Sequence, residues 1–302
     1  MEANMIASSK TKVKSRQVSL GSERLLTFVV YFLLTCAAIT CLLPFWVVVI
    51  DSFASEKLLN NGYVLFPSEF SLEAYRFLFN SNQIFKSYAV TIIVTIVGTL
   101  LGLFVTATFA YVIAHSKAKY GNFLAMMTYL PMVLGSGLVG FYLLMVNWLH
   151  MKDTLMALIF PYVMNPFFAF IFVSFYRTLP YEINESATVD GANEWRIFFQ
   201  IIRPITTPVI STVALFFSLQ YWNDWWLGLL FIDNSNLYPL QILLRQILNS
   251  QNFKLFATGV VIPPSEGLKL AMVCVTIGPI VFAYPFVQKY FVKGLTLGSV
   301  KG

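Results

Sequence analysis

Apolar residues in this chain come in long blocks, not at the spacing of an amphipathic helix or an alternating strand. Six blocks stand out, 25–50, 88–114, 123–149, 155–176, 205–232 and 270–287, and they are almost free of charge. A helix needs about 20 such residues to cross a bilayer, because the membrane interior offers no water to backbone N–H and C=O groups. The pattern therefore predicts an all-α integral membrane protein with six transmembrane helices. Prolines punctuate the blocks (Pro44, Pro131, Pro161, Pro166, Pro279, Pro285). Membrane helices tolerate them when neighbouring helices take up the freed carbonyls.

Composition narrows the class. Of 302 residues, 58% are hydrophobic and only 11% are charged, against roughly 25% charged in a soluble domain. A soluble enzyme, a disordered chain and a basic nucleic-acid binder are excluded. Cys36, Cys41 and Cys274 lie in apolar stretches, and His115 and His150 are the only histidines. Neither a disulfide framework nor a metal set is predicted. The first block is too long for a signal-peptide core of about 7–15 residues. In Leu33-Leu34-Thr35-Cys36 the threonine is too large for a lipoprotein cleavage site, so an uncleaved span is expected.

The net charge of +6 becomes informative once it is sorted by loop. With the N-terminus inside, the cytoplasmic segments hold about twice as many Lys and Arg as the outer ones. Both termini are then cytoplasmic: a basic tail at 1–24, a six-span domain at 25–291 and a tail at 292–302. The basic balance reports topology and implies no nucleic-acid partner. Two outer segments, 51–87 and 233–267, are longer than connections require. Ser71 followed by Glu73 predicts the start of a short helix. The run from Leu240 to Leu248 predicts an amphipathic helix on the outer surface.

The loop between the fourth and fifth spans, 178–204, gathers four of the 14 acids: Glu182, Glu185, Asp190 and Glu194. Its spacing predicts a helix, a turn and a second helix. Pro180 suits a helix start, Gly191 supplies the left-handed residue that ends the first helix, and Asn193 caps the second. Trp195, Phe198, Phe199 and Ile202 fall on one face at helical spacing, opposite Arg196, Gln200 and Arg203. The second helix is expected to lie along the membrane as a bracket. The first, acidic and poor in large apolar groups, projects toward water and suits docking into a partner.

Here the sequence resembles a known loop. Glu185-Ser186-Ala187, Asp190-Gly191-Ala192 and Ile201-Ile202-Arg203-Pro204 are similar to the Glu-Ala-Ala…Gly…Ile-x-x-Pro pattern of permease subunits of bacterial ABC importers, with serine in place of the middle alanine and arginine before the proline. Phe66-Pro67-Ser68, Pro166-Phe167, Trp222-Asn223-Asp224 and the ending Gly294-Leu295-Thr296-Leu297-Gly298-Ser299 extend the likeness to carbohydrate-uptake permeases, most of all the maltose-type six-span partner and its oligosaccharide branch. The resemblance implies mechanical coupling. Glu182, Glu185, Ser186, Ala187, Asp190, Gly191 and Ala192 would meet a separate ATPase, with Glu185 as the polar contact and Ala187 and Gly191 permitting close approach. It further implies two ATPase subunits that use ATP and Mg, a second homologous permease, an extracytoplasmic solute-binding protein and a place in the bacterial cytoplasmic membrane. The chain itself carries no phosphate-binding Gly-Lys pair, so no cofactor is expected in it.

Asp224 is the sole acid well inside an apolar block, where an unpaired charge costs at least ~2.5–3.5 kcal/mol. With Trp222 and Asn223 it forms an amide, acid and indole group suited to sugar hydroxyls and ring faces. Tyr142, Asn147 and Asn165 are further candidates for the substrate path, Asn165 beside the kink at Pro166. For each, an interhelical hydrogen bond is the competing role. Other classes fit less well. A membrane-embedded transferase needs clustered carboxylates or a nucleophile with a base, and the acids here are scattered. A passive channel or scaffold leaves the acidic loop unexplained. An importer for a non-sugar solute remains the alternative within the class.

Overall fold

The computed structural model describes residues 20–115, 118–135, 137–249 and 266–282. The expected C-terminal tail, most of the N-terminal tail and the end of the sixth apolar block lie outside these residues. The first helix, α1 (Leu20–Asp51), contains a stretch, Arg24–Asp51, long and apolar enough to cross a membrane. From Val49 onward the chain forms one compact unit.

That unit begins with two short helices, α2 (Glu56–Leu59) and α3 (Glu73–Asn80), before the long α4 (Asn82–Ala114). There follow α5 (Gly121–Leu134), α6 (Leu138–Leu143, continued as a π-helix to Trp148), α7 (Leu155–Ile159, tightening to a 3-10 turn at Tyr162) and α8 (Pro166–Tyr176). Next come α9 (Glu182–Val189), α10 (Glu194–Arg196), α11 (Arg203–Ile205), α12 (Thr207–Trp222), α13 (Trp226–Phe231) and α14 (Leu240–Leu248). Last is α15, over 266–282. No strand is present among the described residues, in line with the all-α expectation.

The apolar blocks do not all become straight helices. Among the described residues only Arg24–Asp51 and Asn82–Ala114 are long enough alone to span, and three bent pairs bring the possible spans to five. The block at 123–149 divides into α5 and the segment Leu138–Trp148, which differ in direction by 116°. Gly135 and Gly137 lie at the division with φ of 67° and 68°, a left-handed geometry that ends a helix. The block at 155–176 bends by 42° between Tyr162 and Pro166. The block at 205–232 stops at Trp222 and resumes at Trp226. Hydropathy registers length and apolarity and is blind to such breaks.

At the centre, α4 packs closely on α12. Gly98 and Gly102, one turn apart on α4, leave room for the rings of Tyr221 and Phe217. A Cβ at Gly98 would fall 2.5 Å from the Tyr221 ring, and one at Gly102 would fall 2.8 Å from that of Phe217. Small residues at an i, i+4 spacing are how membrane helices approach without a hydrophobic driving force. Phe217 is fully buried and meets Phe168 of α8 edge to face at 4.7 Å.

The carbonyls freed at proline breaks find donors on neighbouring helices. Val163 would give its carbonyl to the N–H of residue 167, but that N–H goes to the Asn165 side chain; Thr106 of α4 donates to Val163 O instead, at 3.1 Å. Val163 N–H turns to Phe160 O, and Tyr221 donates to the Ile159 carbonyl it leaves behind, at 2.9 Å. In α15, Pro279 has no N–H for the Val275 carbonyl, which accepts from the Tyr88 hydroxyl at 2.5 Å.

The segment 51–87 is ordered by polar contacts at the α14 end of the unit. Asp51, fully buried, accepts from Val64 N–H at 3.1 Å. The Ser52 hydroxyl meets that of Tyr75 at 2.8 Å. Burial pushes the Tyr75 phenol up to about 12, with the Ser52 contact acting the other way. Ser71 accepts from Glu73 N–H at 3.2 Å, but the residue that flanks α3 is Leu72, so Ser71 stands one residue before the cap position expected for it. Helix α14 forms over the expected residues, but its apolar side faces protein: Leu240, Leu243 and Ile247 join Ala74, Leu78, Ile84, Leu268 and Met272 in a second core. Asp153 links two turns by accepting from Asp233 N–H at 2.7 Å and Asn234 N–H at 2.8 Å. Beside it Lys152 pairs with Asp233 at 2.7 Å, which raises the Lys152 ammonium above its ordinary range; the pair is exposed and adds little to stability.

Candidate functional site

Two places carry polar chemistry that the fold positions deliberately: the acidic loop at one end of α4, and a pair of helix breaks nearer the other end.

The loop starts where α8 ends. Helix α9 closes as the sequence predicts. Gly191, at φ 79°, donates to Thr188 O at 3.0 Å, and Ala192 donates to Ala187 O at 3.0 Å. Together these form a Schellman motif. Asn193 then accepts from Arg196 N–H at 2.9 Å and caps the following helix. Glu182, Glu185, Ser186 and Val189 share the exposed side of α9, and Asp190 and Gly191 are exposed beyond them. Val189 is 87% exposed, an apolar β-branched residue at the end of an acidic stripe. Sequence reasoning passed over it; the signal was its place seven residues after Glu182. Ala187 points the other way. It is 6% exposed and belongs to the main core with Ile183 packed nearby. Its small side chain lets α9 seat on its own bracket. Ala192 is half-buried.

The bracket differs from the predicted regular helix. Residues Ile197–Ile202 form a π-helix, whose wider turn bonds i to i+5. The side chains turned inward are thereby Ile197, Phe198 and Ile202, while Trp195 is 62% exposed and stacks on Phe199 at 5.9 Å. The expected apolar face of Trp195, Phe198, Phe199 and Ile202 is thus divided between core and surface. Arg196 and Gln200 do share a side, and Arg196 Nε donates to Gln200 Oε1 at 3.0 Å. The bracket is tied to α4 by the Tyr111 hydroxyl, which donates to Glu194 Oε2 at 3.2 Å, and by the ring contact of Tyr111 with Phe198; Tyr111 also meets Tyr176 of α8 edge to face.

At the second place the break between α7 and α8 faces the break between α12 and α13. Tyr162 donates to Asp224 Oδ1 at 2.9 Å, and Asp224 Oδ2 accepts from Leu227 N–H at 3.2 Å, capping α13. Asn165 Oδ1 caps α8 by accepting from Phe167 N–H at 3.0 Å, and its Nδ2 donates to Gln220 Oε1 at 3.3 Å. Asp224 therefore sits in a helix break, not within a continuous span, and its charge meets a tyrosine and backbone donors. Tyr162 and Gln220 were not singled out from sequence. The other path candidates make their contacts elsewhere. Trp222 donates from its indole to Thr276 O at 3.2 Å. Asn223 is exposed and accepts from Gln241 at 3.4 Å. Tyr142 stacks on Phe231 at 5.7 Å, and Asn147 is exposed in the π-helix that ends the third block.

Removing the Tyr162 hydroxyl leaves one carboxylate oxygen of Asp224 without its donor. Tyr162→Phe is expected to cost about 1–3 kcal/mol. Asp224→Asn should cost a similar amount, and the double variant less than the sum. Unfolding of the four species in detergent measures the coupling.

The chain matches the family described as binding-protein-dependent transport system inner membrane component over residues 99–297, and it belongs to that family. It is 39% identical to protein LplC of Bacillus subtilis over 90% of this chain and 93% of that one. It is 35% identical to the polygalacturonan/rhamnogalacturonan transport system permease protein YtcP of the same organism, over 93% and 99%. The fold matches the crystal structure of a bacterial ABC transporter involved in the import of the acidic polysaccharide alginate, with a TM-score of 0.83 at 24% identity, covering 89% of this chain and 98% of that one. Members of the family are transport components, not enzymes.

Proposed function

We propose that the chain is a six-span permease subunit of a bacterial ABC importer that forms half of the translocation path for an oligosaccharide. Helix α9, with Glu182, Glu185, Ser186 and Val189 outward, engages a separate ATPase, and the bracket of α10 and α11 passes the force to α4 and α12. Both termini and the loop then lie in the cytoplasm, as the sorting of Lys and Arg indicates. The working assembly contains a second homologous permease, two ATPase subunits that bind ATP and Mg, and an extracytoplasmic binding protein that delivers the sugar. The observation that carries the substrate class is the near full-length likeness to YtcP, named as a polygalacturonan/rhamnogalacturonan transport system permease.

Asn165, Asp224, Asn223, Trp222, Tyr142 and Asn147 are the residues offered for the path. The hydrogen bonds of Asn165, Asp224 and Trp222 give them interhelical roles as well. Purification of the full chain from membranes is expected to bring with it an ATPase and a second permease, and ATP hydrolysis that rises with sugar-loaded binding protein. Isolation as an active homomer overturns the importer reading. Equilibrium binding to the partner binding protein separates a sugar from a non-sugar cargo.

A further inference from the structure

Beneath α9 lies a cavity of about 430 Å³ whose chemistry neither coupling nor transport uses. Its volume is within the range of small-molecule sites. It opens where α4 and α8 end and α5 begins. Its lining includes Lys119, Arg177, His115, Tyr176 and Asn184, and no carboxylate is among the lining residues.

Three side-chain atoms at this cavity are shielded yet unsatisfied. The Tyr176 hydroxyl, in a residue 6% exposed, His115 Nδ1 and Asn184 Oδ1 have no hydrogen-bond partner among the described residues. Thr206, a neighbour of Tyr176, donates its hydroxyl to Arg203 O at 3.2 Å. A buried polar group without a partner costs about 1–3 kcal/mol, so such groups at a cavity point to an occupant that satisfies them. The occupant's chemistry follows from theirs. Two cations and a phenol call for an oxyanion. The N-terminus of α5, 14 residues long and without a side-chain cap, adds positive potential from Gly121 and Asn122 at the lining. Asn184 Oδ1, an acceptor, calls for a donor on the same ligand.

We propose that this cavity binds a phosphate ester bearing hydroxyl groups, with the phosphate held by Lys119, Arg177 and Tyr176 and a hydroxyl donated to Asn184. Phosphoglycerol has this chemistry, either as the headgroup of an anionic phospholipid at the membrane surface or as a soluble ester. Occupancy fills the space between α9 and the ends of α4 and α8, and so stiffens the seat of α9.

The test uses the full chain in detergent, analysed by native mass spectrometry with phosphatidylglycerol or phosphatidylcholine of matched acyl chains, and separately with glycerol 3-phosphate. Retention of phosphatidylglycerol about tenfold above phosphatidylcholine is expected, and a similar loss in Tyr176→Phe and in Lys119→Gln/Arg177→Gln. The second variant alters exposed residues only, so the test survives any folding defect from the first. Displacement of the lipid by glycerol 3-phosphate supports the site and assigns it to a soluble ester; persistence of the lipid supports it and assigns it to a headgroup. Equal retention of the two lipids with no binding of glycerol 3-phosphate overturns the proposal, as do variants that bind like the parent. Such a failure leaves copurification with an ATPase unaffected, so it does not bear on the importer reading.

Discussion

Glu185→Lys is expected to abolish sugar-stimulated ATP hydrolysis in the assembled transporter while leaving the affinity of the binding protein largely intact. The expectation follows from where Glu185 stands. It is exposed on α9 with Glu182, Ser186 and Val189, on the side opposite the buried Ala187. When a partner covers that side, the carboxylate becomes a desolvated polar contact. Losing one member of such a pair costs roughly 2–5 kcal/mol, or about 30-fold and upward in an equilibrium; a lysine adds repulsion if the partner is cationic. Val189→Asp places a charge where an apolar side chain is already exposed for contact and should act in the same direction.

Gly191 separates backbone from contact. Its φ of 79° disfavours most side chains, yet no atom lies within 4 Å of the Cβ position. Gly191→Asn, which accepts left-handed geometry, should retain coupling if conformation is the requirement. Gly191→Val should lose it. Unchanged hydrolysis in Glu185→Lys and Val189→Asp counts against α9 as the coupling element.

The second large effect lies in the core. Gly98→Val and Gly102→Val are each expected to cost about 3 kcal/mol and to lower the yield of assembled protein sharply. A Cβ at either position falls within 3 Å of an aromatic ring. Neither ring is free to retreat. Tyr221 is held by its hydrogen bond to Ile159 O, and Phe217 is fully buried against Phe168. The two effects share α12 and should not add. Gly140→Ala, where nothing lies within 4 Å, is the control and should be neutral or slightly stabilising. Thermal unfolding in detergent distinguishes them. Equal stability of Gly98→Val and Gly140→Ala would show that α4 and α12 do not depend on this close approach.

Much of this molecule is visible in its sequence where one residue does one local job. Gly191 and Asn193 are examples, because a left-handed turn and a side-chain cap are each decided within four residues. The 240–248 helix is another, since its apolar spacing is its own. The breaks were harder. In the apolar run 205–232 Asn223 and Asp224 mark a polar spot but not a stop at Trp222, because the interruption depends on Asp224 meeting Tyr162 from another segment. The same holds for Thr106 and Tyr88, ordinary residues until they are found at carbonyls freed by a helix cap and by a proline. The π-helix of Ile197–Ile202 left no mark either, since wide and regular turns use the same side chains.

That wide turn has a consequence for how the protein tolerates length change. A π-turn is equivalent to one residue inserted into an α-helix, and one residue corresponds to about 100° of rotation about the axis. The widened turn takes up that residue locally, so the segments on either side of it keep their azimuth. Deleting a residue from 197–202 should therefore restore a regular helix and leave Trp195 and α9 facing as they do, whereas the same deletion within a regular helix such as α4 would turn one side against the other by about that angle. The bracket is thus the place in the loop where a change of one residue in length is absorbed without redirecting α9.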